Sequence, residues 1–272
     1  MSRLPRRVFL MSVPTGCLAA AAYGIGAPVG GNRDSANTSG SLYPGFPGQN
    51  PKLVEEVVRY SHFDIDAVHE LITDRPALAK ASWDWGFGDW ESALGAASHM
   101  GRRDMAELLI AQGARPNMFT FAMFDQVDAL RAIVQANPGV QRIHGPHGIT
   151  LLVHARNGKA ERVIDYLESV EGAHVPQTNK PLDDEQKKVY LGAYGYGSGN
   201  DETLGIVEMR NGMLGIQGGK RAPRHLLHLG EHTFHPTGAA SVRINFRVND
   251  SSIAEMLTVH DADLIVTARR VE

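Results

Sequence analysis

The sequence predicts an α+β multidomain protein, a stack of helical hairpins followed by a small antiparallel β-barrel-like domain. A short amphipathic pattern of helical period recurs around Leu71, Leu108, Ala132 and Tyr166, with spacings of 37, 24 and 34 residues. After a polar stretch, Gln177 to Lys187, the apolar period changes from helical to alternating. From there Asn211-Gly212, Gly230-Glu231, Asn249-Asp250-Ser251 and Asp261-Ala262-Asp263 divide the chain into short segments of strand length. The predicted boundaries are a leader over 1–29, a linker over 30–50, helical repeats over 51–172, a second linker over 173–187 and the β domain over 188–272.

The helical segment has one nearly complete unit. Ser92-Ala93-Leu94-Gly95-Ala96-Ala97 opens a first helix, and Gly101 allows a tight turn after it. Leu108-Leu109 closes a second helix that Gly113 ends, and Ala114 and Asn117 follow. Small Ala96 and Ala97 permit close approach of a partner helix. Leu94, Ala97, Gly101, Leu108, Leu109, Gly113, Ala114 and Asn117 resemble the ankyrin unit, whereas Ser92 and Gly95 depart from its opening Thr and His. The resemblance covers about residues 51–171. It implies a solenoid in which each hairpin buries the apolar face of the next, and it implies protein partners more often than catalysis.

The 24-residue spacing leaves no length for an extended finger between Asn117 and Phe119. The fingers on either side are Trp83-Asp84-Trp85-Gly86-Phe87-Gly88-Asp89-Trp90-Glu91 and Arg142-Ile143-His144-Gly145-Pro146-His147-Gly148. A notch is therefore expected between them, with Trp83, Trp85 and Trp90 offering apolar contact and Asp84, Asp89, His144 and His147 offering polar contact to a protein, peptide or glycan. The alternative is that the indoles fold down and fill the gap.

Beyond residue 188, strands are expected at Val189–Tyr196, Thr203–Met209, Met213–Gln217, Leu226–Leu229, Thr233-Phe234, Ser241–Val248, Ile253–His260 and Leu264–Val271. Seven or eight such strands suit a small barrel or strongly curved sheet. Tyr190-x-Gly192-x-Tyr194, the hairpin, Phe234 and the closing Ala268-Arg269 resemble the accessory β domain of penicillin-binding-type serine hydrolases over about 182–272. That resemblance implies an accessory or ligand-holding role and brings no catalytic residues.

No Ser-x-x-Lys, Gly-x-Ser-x-Gly or His-Glu-x-x-His motif occurs; after His69-Glu70, Thr73 stands at the second histidine position. Gly195-Tyr196-Gly197-Ser198-Gly199 leads into a strand, so no helix terminus awaits a phosphate. His225, His228, His232 and His235 fall close together, and His228 with His232 is the weak candidate pair for a metal; no cofactor is expected. The net charge is −3, with 12 Lys/Arg against 17 Asp/Glu over 51–179 and 11 against 12 over 180–272. Neither part is basic, which argues against nucleic acid. Cys17, the single cysteine, lies in the leader, so the rest of the chain forms neither a disulfide nor a thiolate metal site. Arg6-Arg7, Phe9 and the weakly apolar run to Val29 resemble a twin-arginine export signal. The run is too interrupted for a membrane-spanning helix. The expectation is an exported, envelope-associated binding protein without catalytic activity. The alternative is an enzyme or hydrolase accessory with a small-molecule site in its β domain.

Overall fold

The computed structural model describes residues 43–175, 177–199, 202–219 and 221–271. The twin-arginine-like leader, Cys17 and most of the first linker lie outside the described residues. Residues Tyr43–Glu272 form one compact unit.

Its first part is four helical hairpins: α1 (Pro51–Tyr60) with α2 (Ile65–Asp74), α3 (Ala93–His99) with α4 (Arg103–Ala111), α5 (Met118–Met123) with α6 (Val127–Ala136), and α7 (Leu151–Asn157) with α8 (Glu161–Glu168). The sequence sets where they begin. Asn50, Asp64, Ser92, Asn117 and Thr150 each place a side-chain oxygen on a backbone N–H of the first turn, which would otherwise lack a partner. The first helices touch in succession, α1 to α3, α3 to α5 and α5 to α7, while α2 meets α4 and α6 meets α8. None of these helices exceeds ten residues. Isolated helices so short are marginal, so packing between hairpins must hold them. Val57, Val68, Ile72, Leu94, Met105, Leu109 and Met123 form one apolar cluster, and Leu130, Leu151, Leu152, Val163 and Leu167 form the next.

Leu71, Leu108, Ala132 and Tyr166 all fall on second helices. The missing finger is also there: α5 starts directly after Asn117. Close approach explains two glycines. Gly101 has φ +68°, and a Cβ on it would stand 2.1 Å from the carbonyl oxygen of Asn157. A Cβ on Gly158 would meet that of Met123 at 2.2 Å. Arg103 donates to the carbonyls of both Met123 and Gly158, tying the ends of α5 and α7 together. Gly101→Ala should therefore cost at least about 1–3 kcal/mol, because its backbone angle and its neighbour both resist a side chain. A lower urea midpoint with an unchanged m-value is the expected result.

The second part is a closed antiparallel barrel of eight strands: β3 (Gly192–Gly195), β4 (Thr203–Glu208), β5 (Leu214–Gly218), β6 (Arg224–Gly230), β7 (Thr233–Pro236), β8 (Arg243–Val248), β9 (Ala254–Asp261) and β10 (Leu264–Val271). They pair in chain order, and β10 closes on β3. Alternation is clearest in β8, where Ile244 and Phe246 are buried between exposed Arg243, Asn245 and Arg247. Tyr190, Tyr194, Phe234 and Phe246 pack edge-on or tilted inside, with ring centroids 4.9–5.8 Å apart, so side chains fill the barrel. The polar approach to it holds a short helix, α9 (Asp184–Lys188), begun by an Asp183–Gln186 capping box.

A two-stranded hairpin, β1 (Ser82–Asp84) and β2 (Trp90–Ser92), projects from the stack between α2 and α3. Its tip reaches the barrel. Phe87 packs on the barrel core, and Asp89 pairs with Arg224 of β6.

Candidate metal centre

Residues on opposite strands of a hairpin that face each other share a face. Here Ser82 faces Ser92, Trp83 faces Glu91 and Asp84 faces Trp90. The hairpin is thus divided: Trp83 and Glu91 look one way, Asp84 and Trp90 the other.

Glu91 is the centre of what lies on its side. Its carboxylate is buried and is met by three imidazoles from three separate places in the stack. His99 Nε2 is 2.9 Å from Oε1; His147 Nε2 is 3.2 Å and His62 Nε2 is 3.3 Å from Oε2. The four donor atoms all lie within 4.8 Å of one another, and among the described residues this is the one such group of three or more His, Cys, Asp or Glu. Trp85 Nε1–H donates to Oε2 at 2.7 Å.

Each ring is aimed by its surroundings. His62 follows α1, whose last carbonyls lack intrahelical partners, and its Nδ1–H donates to Val58 at 3.1 Å and Arg59 at 3.0 Å. His147 sits in a left-handed turn with φ +59°. Its backbone N–H donates to Asp89 Oδ1 at 3.0 Å, and its Nδ1–H donates to Oδ2 at 2.8 Å. His99 ends α3, just before Gly101 turns the chain, and its carbonyl accepts from Asn157 Nδ2. With Nδ1 committed to an acceptor, a neutral ring presents its Nε2 lone pair. When neutral, His62 and His147 both turn lone pairs toward a carboxylate that carries only lone pairs, and the 3.2 Å contact of His147 Nε2 with Oε2 is a hydrogen bond only when that ring is protonated.

The closest pair makes the same point by its angle. Glu91 Oε1 and His99 Nε2 are 2.9 Å apart, yet each is a buried polar atom without a hydrogen bond among the described residues. They converge without pointing at each other. Ring centroids of His62 and His99 are 4.9 Å apart, and those of His99 and His147 are 5.4 Å apart. Protonating all three rings would bring three cations together around one carboxylate.

Without a cation, protons must balance this network. Burial opposes charge on Glu91, but the imidazoles of His147, His62 and His99 set against it outweigh burial and hold the carboxyl far below its usual range. Burial likewise opposes charge on His147, but Asp89 and Glu91 raise the ring to about 9. Asp89 is lowered against its own burial by His147 and Arg224.

The site is closed on one side and open on the other. Glu91 and His99 are buried, while the side chains of His62 and His147 are 19% and 27% exposed. Both line a cleft of about 420 Å³ between stack and barrel, with Arg59, Phe63, Trp85, Met209, Ala222, Pro223, Arg224, His225 and Thr237.

The seven residues expected at the notch are split by the hairpin. Trp83 and Trp85 are half-buried against the core of the stack, Trp85 as a donor to Glu91. Asp84 accepts from the Gly86 N–H and shapes the finger's tip. Asp89 and His147 belong to the metal-type cluster. Trp90 remains 64% exposed and, with Asp89 and His144, lines a cavity of about 390 Å³ above Asn117 and Phe119, where the finger is missing. His144 Nε2 lies 3.3 Å from the Val175 carbonyl. Of the candidate metal pair, His228 Nδ1 meets the Lys180 carbonyl at 3.1 Å and His232 Nδ1 meets Tyr190 Oη at 2.8 Å, and neither belongs to the cluster around Glu91.

Sequence reasoning missed His62, Glu91 and His99. One signal was present: His62 precedes His99 by 37 residues, the same interval as Leu71 to Leu108, so both histidines hold one register of the repeat. No protein-family model matches the chain, and no curated protein is significantly similar to it in sequence.

Proposed function

We propose that this is a metal-binding protein that holds one divalent first-row transition ion on His62, Glu91, His99 and His147. The observation that carries the reading is the misaligned approach of His99 Nε2 and Glu91 Oε1, buried and 2.9 Å apart without a hydrogen bond. A shared cation satisfies both atoms, and the other two Nε2 lone pairs with them. Imidazole donors suit zinc, copper, iron and nickel. Backbone carbonyls behind His62 and a carboxylate behind His147 are the outer partners that metal-bound histidines ordinarily have. With two ligands bordering a cleft, the ion would act as a Lewis acid toward whatever enters.

Asp89 is then a positioning residue. Asp89→Asn keeps the size and removes the charge that orients His147. It should weaken zinc binding about 10–100-fold, measured by competition with a chromogenic chelator, while the circular dichroism stays that of the parent.

The wider setting belongs to the same proposal. The helical hairpins are read as ankyrin-type repeats on the matching positions Leu94, Ala97, Gly101, Leu108, Leu109, Gly113, Ala114 and Asn117, and the leader as an export signal that sends the protein to the envelope. A second reading is favoured by the cavity beside Trp90: recognition of a protein, peptide or glycan in the notch. The two readings predict different outcomes for two tryptophans. Trp90→Ala should reduce capture of a partner from envelope extract and leave metal content unchanged. Trp85→Ala removes a donor to Glu91 and should lower metal affinity. Equal capture by Trp90→Ala and the parent would end the notch reading.

A further inference from the structure

We infer that the cleft beside the metal centre binds a small organic acid, its oxyanion coordinated to the ion and its apolar body laid between stack and barrel. This rests on the metal reading above and names the ligand class of that site.

Charge supports an anion. Three neutral imidazoles, one carboxylate and a divalent ion leave the centre with a single positive charge, and Arg224 is offset by Asp89. Arg59 adds another cation on the cleft wall. Its guanidinium lies 3.3 Å from Tyr60 Oη and over that ring, and it has no acidic partner within ion-pair distance among the described residues; Glu55, one turn back, borders the adjoining cavity. His225, the remaining histidine of the cleft, is held toward its neutral form by burial and then by Arg224. A positive centre between apolar walls attracts anions more strongly than the same charge in water.

Shape supports an apolar body. Phe63, Trp85, Met209, Ala222 and Pro223 supply an apolar wall, and His62, His147 and Arg59 are among the polar groups that share the cleft. A volume of about 420 Å³ admits a molecule of one ring with a short acid arm. Both halves of the protein contribute walls, so the site exists only where stack and barrel meet.

The test uses the full chain, assayed first for zinc uptake, then titrated calorimetrically with phenylacetate, phenylacetamide and acetate. The amide lacks the charge, and acetate lacks the ring. Phenylacetate should bind zinc-loaded protein at least about tenfold more tightly than either, and metal-free protein should lose that preference. Addition to cobalt-loaded protein should shift the visible bands, reporting coordination. Arg59→Gln should weaken phenylacetate several-fold, and Ala222→Glu, which puts bulk and negative charge into the cleft from an exposed position, should abolish binding; zinc content should be unchanged in both. Zinc uptake with no preference for the acid over the amide, or an unshifted cobalt spectrum, would overturn this inference and leave the metal reading standing. A protein that takes up no zinc overturns both.

Discussion

His62→Gln and His99→Ala proteins should emerge from purification with far less metal than the parent. Removing an outer partner of a metal ligand typically costs about 10–100-fold in affinity, and removing a ligand costs at least that. The two variants answer different objections. His99 is buried at the end of α3, so its loss also opens a gap beside Glu91 and lowers stability on its own account. His62 is part-exposed, its Nδ1 held by the last carbonyls of α1, and glutamine there should leave the stack intact. Both must lose metal. If only His99→Ala did, disturbed packing would be the better explanation.

The second large effect concerns stability. Metal bound to the folded chain alone, at about a thousand times its dissociation constant, adds about 4 kcal/mol, or roughly 10 °C in melting temperature for a domain of this size. Chelation should remove that increment from the parent. Glu91→Gln should melt low at the outset and ignore the chelator. It withdraws the carboxylate that faces His62 and His99, and breaking a buried charge network in this way costs about 3–5 kcal/mol. The pH dependence separates the two forms of the site. In metal-free protein His147 is raised from 6.5 to about 9. The stability it contributes is complete below its unfolded value and disappears as pH rises through the folded one. Chelated parent should therefore weaken between about pH 6.5 and 9. Metal-loaded parent should hold steady or strengthen over that span, since its ligands must be unprotonated.

Much of the fold was legible because it rests on local rules. The first helix of each hairpin and α2 start at Asn, Asp, Ser or Thr caps, the hairpin at Asn211-Gly212 closes as its glycine at φ +76° allows, and strand alternation places Ile244 and Phe246 inside. The missing finger before α5 was legible from length alone, since 24 residues cannot encode one. The cluster was not, for a physical reason: its ligands are far apart in sequence and carry no compact spacing motif. His62 and His99 share a repeat register, but Glu91 comes from a hairpin and His147 from a turn whose conformation sequence does not reveal. Trp83 and Trp90 look equivalent in the chain, and only the strand register separates them onto opposite faces. Histidines adjacent in sequence lie elsewhere: His228 and His232 place their Nδ1 atoms against Lys180 and Tyr190.

Elemental analysis of the full-length protein, purified without chelator and again after zinc loading and desalting, tests the central claim most directly. The predicted result is about one ion per chain, lost in His62→Gln and accompanied by a melting temperature that falls on chelation. Metal below about two tenths of an equivalent after loading, with melting unmoved by zinc or chelator, would mean that protons alone hold Glu91 and its three histidines together.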